Sequence, residues 1–228
     1  MDLDTDVLII GAGLSGLGLA VQLVRQYGHR NFELIEKSHN IGGTWLANSY
    51  PGCGVDVRCR NNLSFSVSII SRLLINWKVA AHYYSYSFCL NPNWSRKYPL
   101  QPEILDYFRS VAAKYGIEKH ARFHSIVNSA HWEESSRTWL VTVTDLKVFK
   151  TYHRRCKILV SAVGILSIPN ACDIDGASSF KGPLFHTAQW DHSFDYKDKD
   201  LVIIGFFFFS LFFSLYVYSY MAVISCYI

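Results

Sequence analysis

Four consecutive aliphatic residues, Val7 to Ile10, lie between Asp6 and Gly11 near the start of the chain. An apolar run without alternation suits a strand of a parallel sheet covered on both faces. A glycine-rich turn follows, and then a helix is predicted from about Leu14 to Tyr27. "FELIEKS" predicts a second short strand ending at Glu36. "PEILDYFRSVAAKYG" predicts a helix from near Pro102, with Glu103 and Asp106 in its first turn and a glycine stop at Gly116. "ARFHSIVNSAHWEESSRTWLVTVTD" alternates as a hairpin or meander does, joined by the polar "EESSRT". "CKILVSAVGILSIPN" reads as another buried strand and a turn. Together these elements predict the α/β class.

The opening pattern returns late in the chain. Asp4–Gly11 and Asp198–Gly205 share one form: Asp-x-Asp, four aliphatics, glycine. The first copy completes a glycine-rich turn, whereas the second runs from Gly205 into Phe206, Phe207, Phe208 and Phe209. From Leu201 to Ile228 there are 28 residues without a charge, longer than the ~20 apolar residues that span a bilayer. Its phenylalanines and tyrosines are untypical of a simple anchor.

Half of the 228 residues are hydrophobic and 15% are aromatic, enough for a packed core and unlike a disordered chain. The net charge of +4 is uneven. Val57 to Pro102 holds no acid but carries Arg58, Arg60, Arg72, Lys78, Arg96 and Lys97, scattered among apolar residues. That scatter argues against a nucleic-acid partner. Cys53, Cys59, Cys89, Cys156, Cys172 and Cys226 form no CxxC pair and no zinc spacing, so no metal site is expected and free thiols are. The N-terminus is acidic and lacks a basic leader, so no secretory signal is expected.

The chemistry starts at Gly11, Gly13 and Gly16, which match G-x-G-x-x-G. Gly11 permits the turn, Gly13 lets backbone approach a pyrophosphate, and Gly16 lets helix and strand pack closely. The helix N-terminus offers unpaired N–H groups and the positive end of its dipole. The pattern alone is weak. Glu36, 20 residues after Gly16 and at the end of a strand, strengthens it, because a carboxylate there accepts hydrogen bonds from a ribose diol. The simpler alternative is a glycine-rich turn with a solvated glutamate.

"IGGTW" (Ile41 to Trp45), "YPGCGVD" (Tyr50 to Asp56) and "FKGPLFHTAQWD" (Phe180 to Asp191) narrow the choice of dinucleotide. The last meets the fingerprint F-x-G-x-x-x-H-T-x-x-W-[PD] with Phe180, Gly182, His186, Thr187, Trp190 and Asp191. The chain resembles the class B flavoprotein monooxygenases, the Baeyer–Villiger and flavin-containing monooxygenases, over roughly Asp4 to Val57 and Tyr83 to Gly205. The resemblance implies a Rossmann-like FAD-binding domain of a two-dinucleotide flavoprotein, with a second, NADP-binding domain only begun. It implies that Gly11, Gly13, Gly16 and Glu36 hold the ADP part of FAD. Gly43, Thr44 and Trp45 match residues beside the flavin, Asp56 an aspartate near the isoalloxazine and nicotinamide, Tyr84 a flavin-contacting tyrosine, and Val127 the backbone that meets the adenine. Without the motifs around them, Trp45 and Tyr84 read as core aromatics, Asp56 as a turn residue and His186 as a core histidine. In the family the His186 region links the two nucleotide domains and couples NADP binding to catalysis.

By the same resemblance NADPH reduces FAD, and the reduced flavin uses O₂ to oxygenate a ketone, an aldehyde or a soft heteroatom in a small molecule. The family's catalytic arginine has no counterpart here, so no catalytic residue is assigned beyond Asp56 as a candidate. The family's second G-x-G-x-x-G is reduced to Gly205, so the NADPH site is expected to be missing. Residues 1–197 are expected to form the FAD-binding domain and residues 198–228 the first strand of an NADP-binding domain running into an aberrant tail. A cytoplasmic, truncated and inactive version of the enzyme is expected. Residues 58–81 separate two family motifs with 24 residues free of acid, glycine and proline. A retained intron or gene-model error is the economical account of both this insert and residues 206–228. Two rivals stand beside this reading. A disulfide reductase would need a partner for Cys53, and a membrane-anchored FAD-binding protein would use residues 201–228 as a single span.

Overall fold

The computed structural model describes residues 3–55, 84–164, 167–169, 175–195, 197, 199, 202–205 and 223–225. Asp56, the insert 58–81 and residues 206–222 lie outside the described residues. The chain divides into two compact units, Met1–Ala47 with Leu105–Ile168, and Asn48–Ile104 with Pro169–Ile228.

The first unit is built on a six-stranded sheet. β1 (Thr5–Ile10) leads through the glycine turn into α1 (Leu14–Tyr27) and on to β2 (Phe32–Ile35). Thr44–Ala47 forms a single helical turn, α2, and α3 spans Gln101–Tyr115. The rest of the sheet comprises β3 (Ala121–Arg122), β4 (Ser125–Glu133), β5 (Thr138–Asp145) and β6 (Lys150–Ser161), in the order β3-β2-β1-β6-β5-β4. β1 pairs in parallel with β2 and β6, while β4, β5 and β6 form an antiparallel meander. β6 therefore belongs to both ladders. Cys156 faces Trp139 on one side and Thr5 on the other.

The predicted α1 boundaries coincide with the observed helix, and Gly28 ends it in the left-handed conformation (φ 62°), which glycine adopts without a Cβ penalty. Leu17, Ala20 and Val21 give α1 one buried stripe at helical spacing. On β1, Val7, Leu8 and Ile9 are all buried, as the unbroken aliphatic run predicts. Leu8 joins Ile35, Val141, Val143 and Cys156 in a core between sheet and meander, with Val127 and Leu159 packed against it. Each such aliphatic side chain stabilises by roughly 1.5–3 kcal/mol when fully buried.

Two local expectations are corrected. Glu103 lies in the first turn of α3, but Asp106 does not. The helix begins at Gln101, and Glu103 instead takes hydrogen bonds from Ser95 N and Ser95 Oγ, each at 2.7 Å. "CKILVSA" does form a strand, but it is not buried throughout, since Ile158 is 54% exposed. The β5 ladder ends opposite Cys156, so the last residues of β6 pair with β1 alone and keep an open edge.

The second unit contains a three-stranded parallel sheet, β7 (Phe185–His186), β8 (Ile203–Gly205) and β9 (Val223–Ser225), in the order β7-β9-β8. Its other part is tied by a bridge between Gly54 and Leu100 and by the Gln101 amide on the Cys53 carbonyl at 2.8 Å. Among the described residues, no helix is long and apolar enough to cross a membrane.

Candidate functional site

The carboxyl ends of β1 and β2 lie side by side, because Val7 to Ile10 pair in register with Phe32 to Ile35. Gly11 leaves β1 with φ 102°, a conformation that L side chains rarely adopt, and its amide donates to the Ile35 carbonyl at 2.8 Å. A Cβ on Gly11 would lie 2.6 Å from the Ala162 carbonyl oxygen, just beyond β6. A Cβ on Gly16 would lie 1.9 Å from the Gly11 carbonyl oxygen. The first and third glycines therefore do what the spacing predicts: one makes the turn and the other seats the helix on it.

Gly13 caps α1 with no side-chain hydrogen bond, and no acid occupies the helix's first turn. The positive end of the helix dipole thus meets no acid from the helix's own first turn. The loop before α2 closes against this turn. The Gly42 amide donates to the Ala12 carbonyl at 3.1 Å, and a Cβ on Gly43 would lie only 2.8 Å from Gly13 Cα. Backbone meets backbone here, which leaves a glycine-walled approach to the helix end.

Glu36 follows β2 and is buried, with 5% of its surface exposed. Its Oε2 accepts the Ala12 amide at 2.7 Å and its Oε1 accepts the Ser38 amide at 2.8 Å. The carboxylate is therefore a fixed part of the turn, where the sequence alone leaves a solvated glutamate open. Each oxygen retains acceptor capacity for a further donor.

Ala12, Ser38 and Gly42 escaped the sequence reading because they act through backbone atoms. The glycine pair in "IGGTW" was the available signal for Gly42. Thr44 is exposed and Trp45 half-buried in α2. Val127 lies in β4 beside a register shift between Val127 and Ser129, packed against the Leu8–Ile35 core rather than at the turn.

The remaining candidates belong to the second unit. Tyr84 is half-buried. In the fingerprint, His186 and Thr187 are buried, and the Ala188 amide donates to His186 Nδ1 at 3.0 Å. Thr187 Oγ1 is buried and has no hydrogen-bond partner among the described residues. Trp190 packs edge-on to Phe185, ring centroids 5.1 Å apart. Gly182 lies under the Phe180 ring, whose tip a Cβ would meet at 2.6 Å. Asp191 Oδ1 takes bonds from Ser193 Oγ at 2.6 Å and Ser193 N at 2.9 Å, and these hold its carboxyl below the usual aspartate range.

Cys53 is a free thiol that burial pushes up to about 11, with a Tyr50 hydrogen bond opposing the shift. A thiol held protonated is a poor redox nucleophile, which counts against disulfide-reductase chemistry. Among the described residues, no cluster of three or more His, Cys, Asp or Glu could hold a metal ion.

A parallel βαβ unit with a glycine turn and a buried acid at the end of its second strand defines a dinucleotide-binding α/β domain. A family model for an NAD(P)-binding Rossmann-like domain matches residues 9–73. The chain is 35% identical over 204 residues to the FAD-binding monooxygenase ktnD of Aspergillus niger, covering 87% of this chain and 30% of that protein. It is also 35% identical over 199 residues to a Baeyer–Villiger monooxygenase of Pseudomonas aeruginosa, covering 87% of this chain and 32% of that protein. An open crystal structure of cyclohexanone monooxygenase superposes with a TM-score of 0.71 at 28% identity, over 90% of this chain and 35% of that one. OTEMO in complex with FAD and NADP gives 0.70 at 30% identity, with the same coverage. The resemblance to the Baeyer–Villiger branch of the flavoprotein monooxygenases is borne out over the part of those proteins that this chain covers. The chain spans about a third of the length of the curated relatives it matches.

Proposed function

We propose that this chain is the FAD-binding part of an NADPH-dependent monooxygenase of the Baeyer–Villiger type. The carrying observation is the N-terminus of α1, capped by Gly13 without a side-chain hydrogen bond, walled by Gly13 and Gly43 and set beside the buried Glu36. A pyrophosphate fits such a place, because a Cβ at Gly43 would press on Gly13 and crowd the approach, and a nearby positive dipole answers its charge. Glu36 would hold the adenosine ribose through its free lone pairs. Val127 would present backbone to the adenine, and Gly43, Thr44, Trp45, Tyr84 and Asp56 would border the flavin. When bound, FAD would supply the redox chemistry that links NADPH oxidation to O₂ activation. The protein's part is to fix the dinucleotide and exclude water.

Residues 1–197 are assigned to FAD binding and residues 198–228 to the start of a nucleotide domain whose NADPH turn is not completed after Gly205. The substrate class is a small ketone, on the likeness to cyclohexanone monooxygenase, with aldehydes and soft heteroatoms as the wider set. Phe180 to Asp191 would couple NADP binding to the flavin. The purified chain is expected to carry a flavin absorption spectrum and to release FAD on denaturation. A folded chain that takes up no FAD would overturn the proposal.

A further inference from the structure

The turn between β5 and β6 consists of Leu146, Lys147, Val148 and Phe149. Three of its four amides are hydrogen-bonded. The Leu146 amide donates to the His124 carbonyl at 2.6 Å, and the Lys147 and Val148 amides donate to Asp145 Oδ1 at 2.8 and 3.3 Å. A turn closed in this way needs no apolar side chain, and turns ordinarily carry Gly, Asn, Asp, Ser or Pro. Yet Leu146, Val148 and Phe149 are 37%, 68% and 81% exposed. Phe149 also holds φ 53°, in the left-handed region where a bulky residue is an outlier and Asn or Gly sits at lower cost. Among the described residues, neither the hydrogen bonding of the turn nor burial accounts for its apolar side chains or for the phenylalanine.

The surroundings indicate an occupant. Lys147 and Lys150 flank the tip, while the nearest acid, Asp145, is engaged as the acceptor of the turn's own amides. Behind the tip the strands are polar, with Thr144 Oγ1 bonded to Asn128 Nδ2 at 2.6 Å and to Thr151 Oγ1 at 2.9 Å. The result is an apolar tip, a cationic collar and a hydroxyl-lined shaft. Satisfied turn amides lower the cost of leaving water, apolar side chains gain by entering the acyl boundary, and lysines gain from anionic headgroups.

We propose that the β5–β6 hairpin tip is a membrane-docking finger that inserts Leu146, Val148 and Phe149 into the interface of an anionic bilayer, with Lys147 and Lys150 on the headgroups. The test is co-sedimentation of the full chain with phosphatidylcholine vesicles, with and without phosphatidylserine. Phe149→Asn removes the apolar group while favouring the left-handed backbone. It is expected to keep or raise the melting temperature and to weaken binding to phosphatidylserine vesicles by at least about tenfold. Lys147→Gln and Lys150→Gln are each expected to cost about fivefold on anionic vesicles and little on neutral ones. Residues 201–228 are common to all variants, so the ratio to the parent isolates the hairpin. Vesicle binding by Phe149→Asn equal to the parent's, or lysine effects of equal size on neutral and anionic vesicles, would overturn the proposal. So would a phenylalanine-dependent contact with a protein and none with vesicles.

Discussion

The Glu36 carboxylate accepts the Ala12 amide at 2.7 Å, which ties the end of β2 to the middle of the glycine turn. With Ser38 N on the other oxygen, this one side chain fixes both the glycine turn and the segment that follows β2. Glu36→Ala leaves two backbone amides without their charged acceptor and is expected to cost roughly 1.5–3 kcal/mol of stability. It also removes the acceptor proposed for the ribose, for an expected further loss of about 10- to 150-fold in FAD affinity. Glu36→Gln, which keeps one acceptor oxygen, should fall between parent and alanine. Thermal unfolding without FAD reads the first effect and flavin titration the second; an alanine variant unchanged in both would refute the role.

The glycines should not be equivalent. Gly16→Ala places a Cβ 1.9 Å from a backbone oxygen, so the strand–helix seat must move, and loss of flavin together with at least about 1–3 kcal/mol is expected. Gly43→Ala combines φ 54° with a Cβ 2.8 Å from Gly13 Cα and should also expel flavin. Gly28→Ala is the control. Its φ is 62° but nothing lies within 4 Å, so it should cost about 1 kcal/mol and leave flavin binding intact. Flavin content and melting temperature across the three variants check the ranking.

Acid should weaken the meander in a defined direction. Arg155 grips Glu133 through both guanidinium nitrogens, with Nη2 to Oε1 at 3.2 Å, and holds the Glu133 carboxyl below its ordinary value of 4.5. A carboxyl with a depressed folded-state pKa adds stability above its unfolded value, and that stability is lost as pH falls through the folded one. The gap in melting temperature between the parent and Arg155→Met should therefore be present at neutral pH and shrink once pH drops below 4.5. A gap that does not change with pH would show that the pair contributes through packing alone.

NADPH should not reduce the bound flavin rapidly. A phosphate turn needs glycine where the chain bends and where it nears the pyrophosphate. After Gly205 the sequence places Phe206 to Phe209 instead, outside the described residues. Anaerobic mixing with NADPH, followed by flavin bleaching, decides the matter: rapid bleaching would overturn the expectation.

Periodicity and glycine spacing made the first unit legible, because β1, α1 and the turn depend on local rules that the residues obey one by one. The limits of α1 could be read directly from Leu14 and Gly28. What stayed hidden depends on distant partners. Nothing in "CKILVSA" says that β5 stops opposite Cys156, and so nothing announces the exposure of Ile158. The double engagement of Glu36 was equally hidden, since its donors are amides of Ala12 and Ser38, which carry no side-chain signature. His186 was visible as part of a fingerprint, but its acceptor bond from Ala188 depends on a short turn that only the fold defines.

The seat of Gly11 on the Ala162 carbonyl joins positions at opposite ends of the first unit's sequence. The glycine turn's contact with Ala162 therefore cannot form during synthesis until β6 and the residue after it have been made, however early its own glycines appear. Closing so long a loop is also insensitive to extra length. The 24 residues at 58–81, already counted within this loop of roughly 150, raise the closure entropy by only about 0.15 kcal/mol. Any harm from that stretch must come from what it touches, and not from the distance it adds.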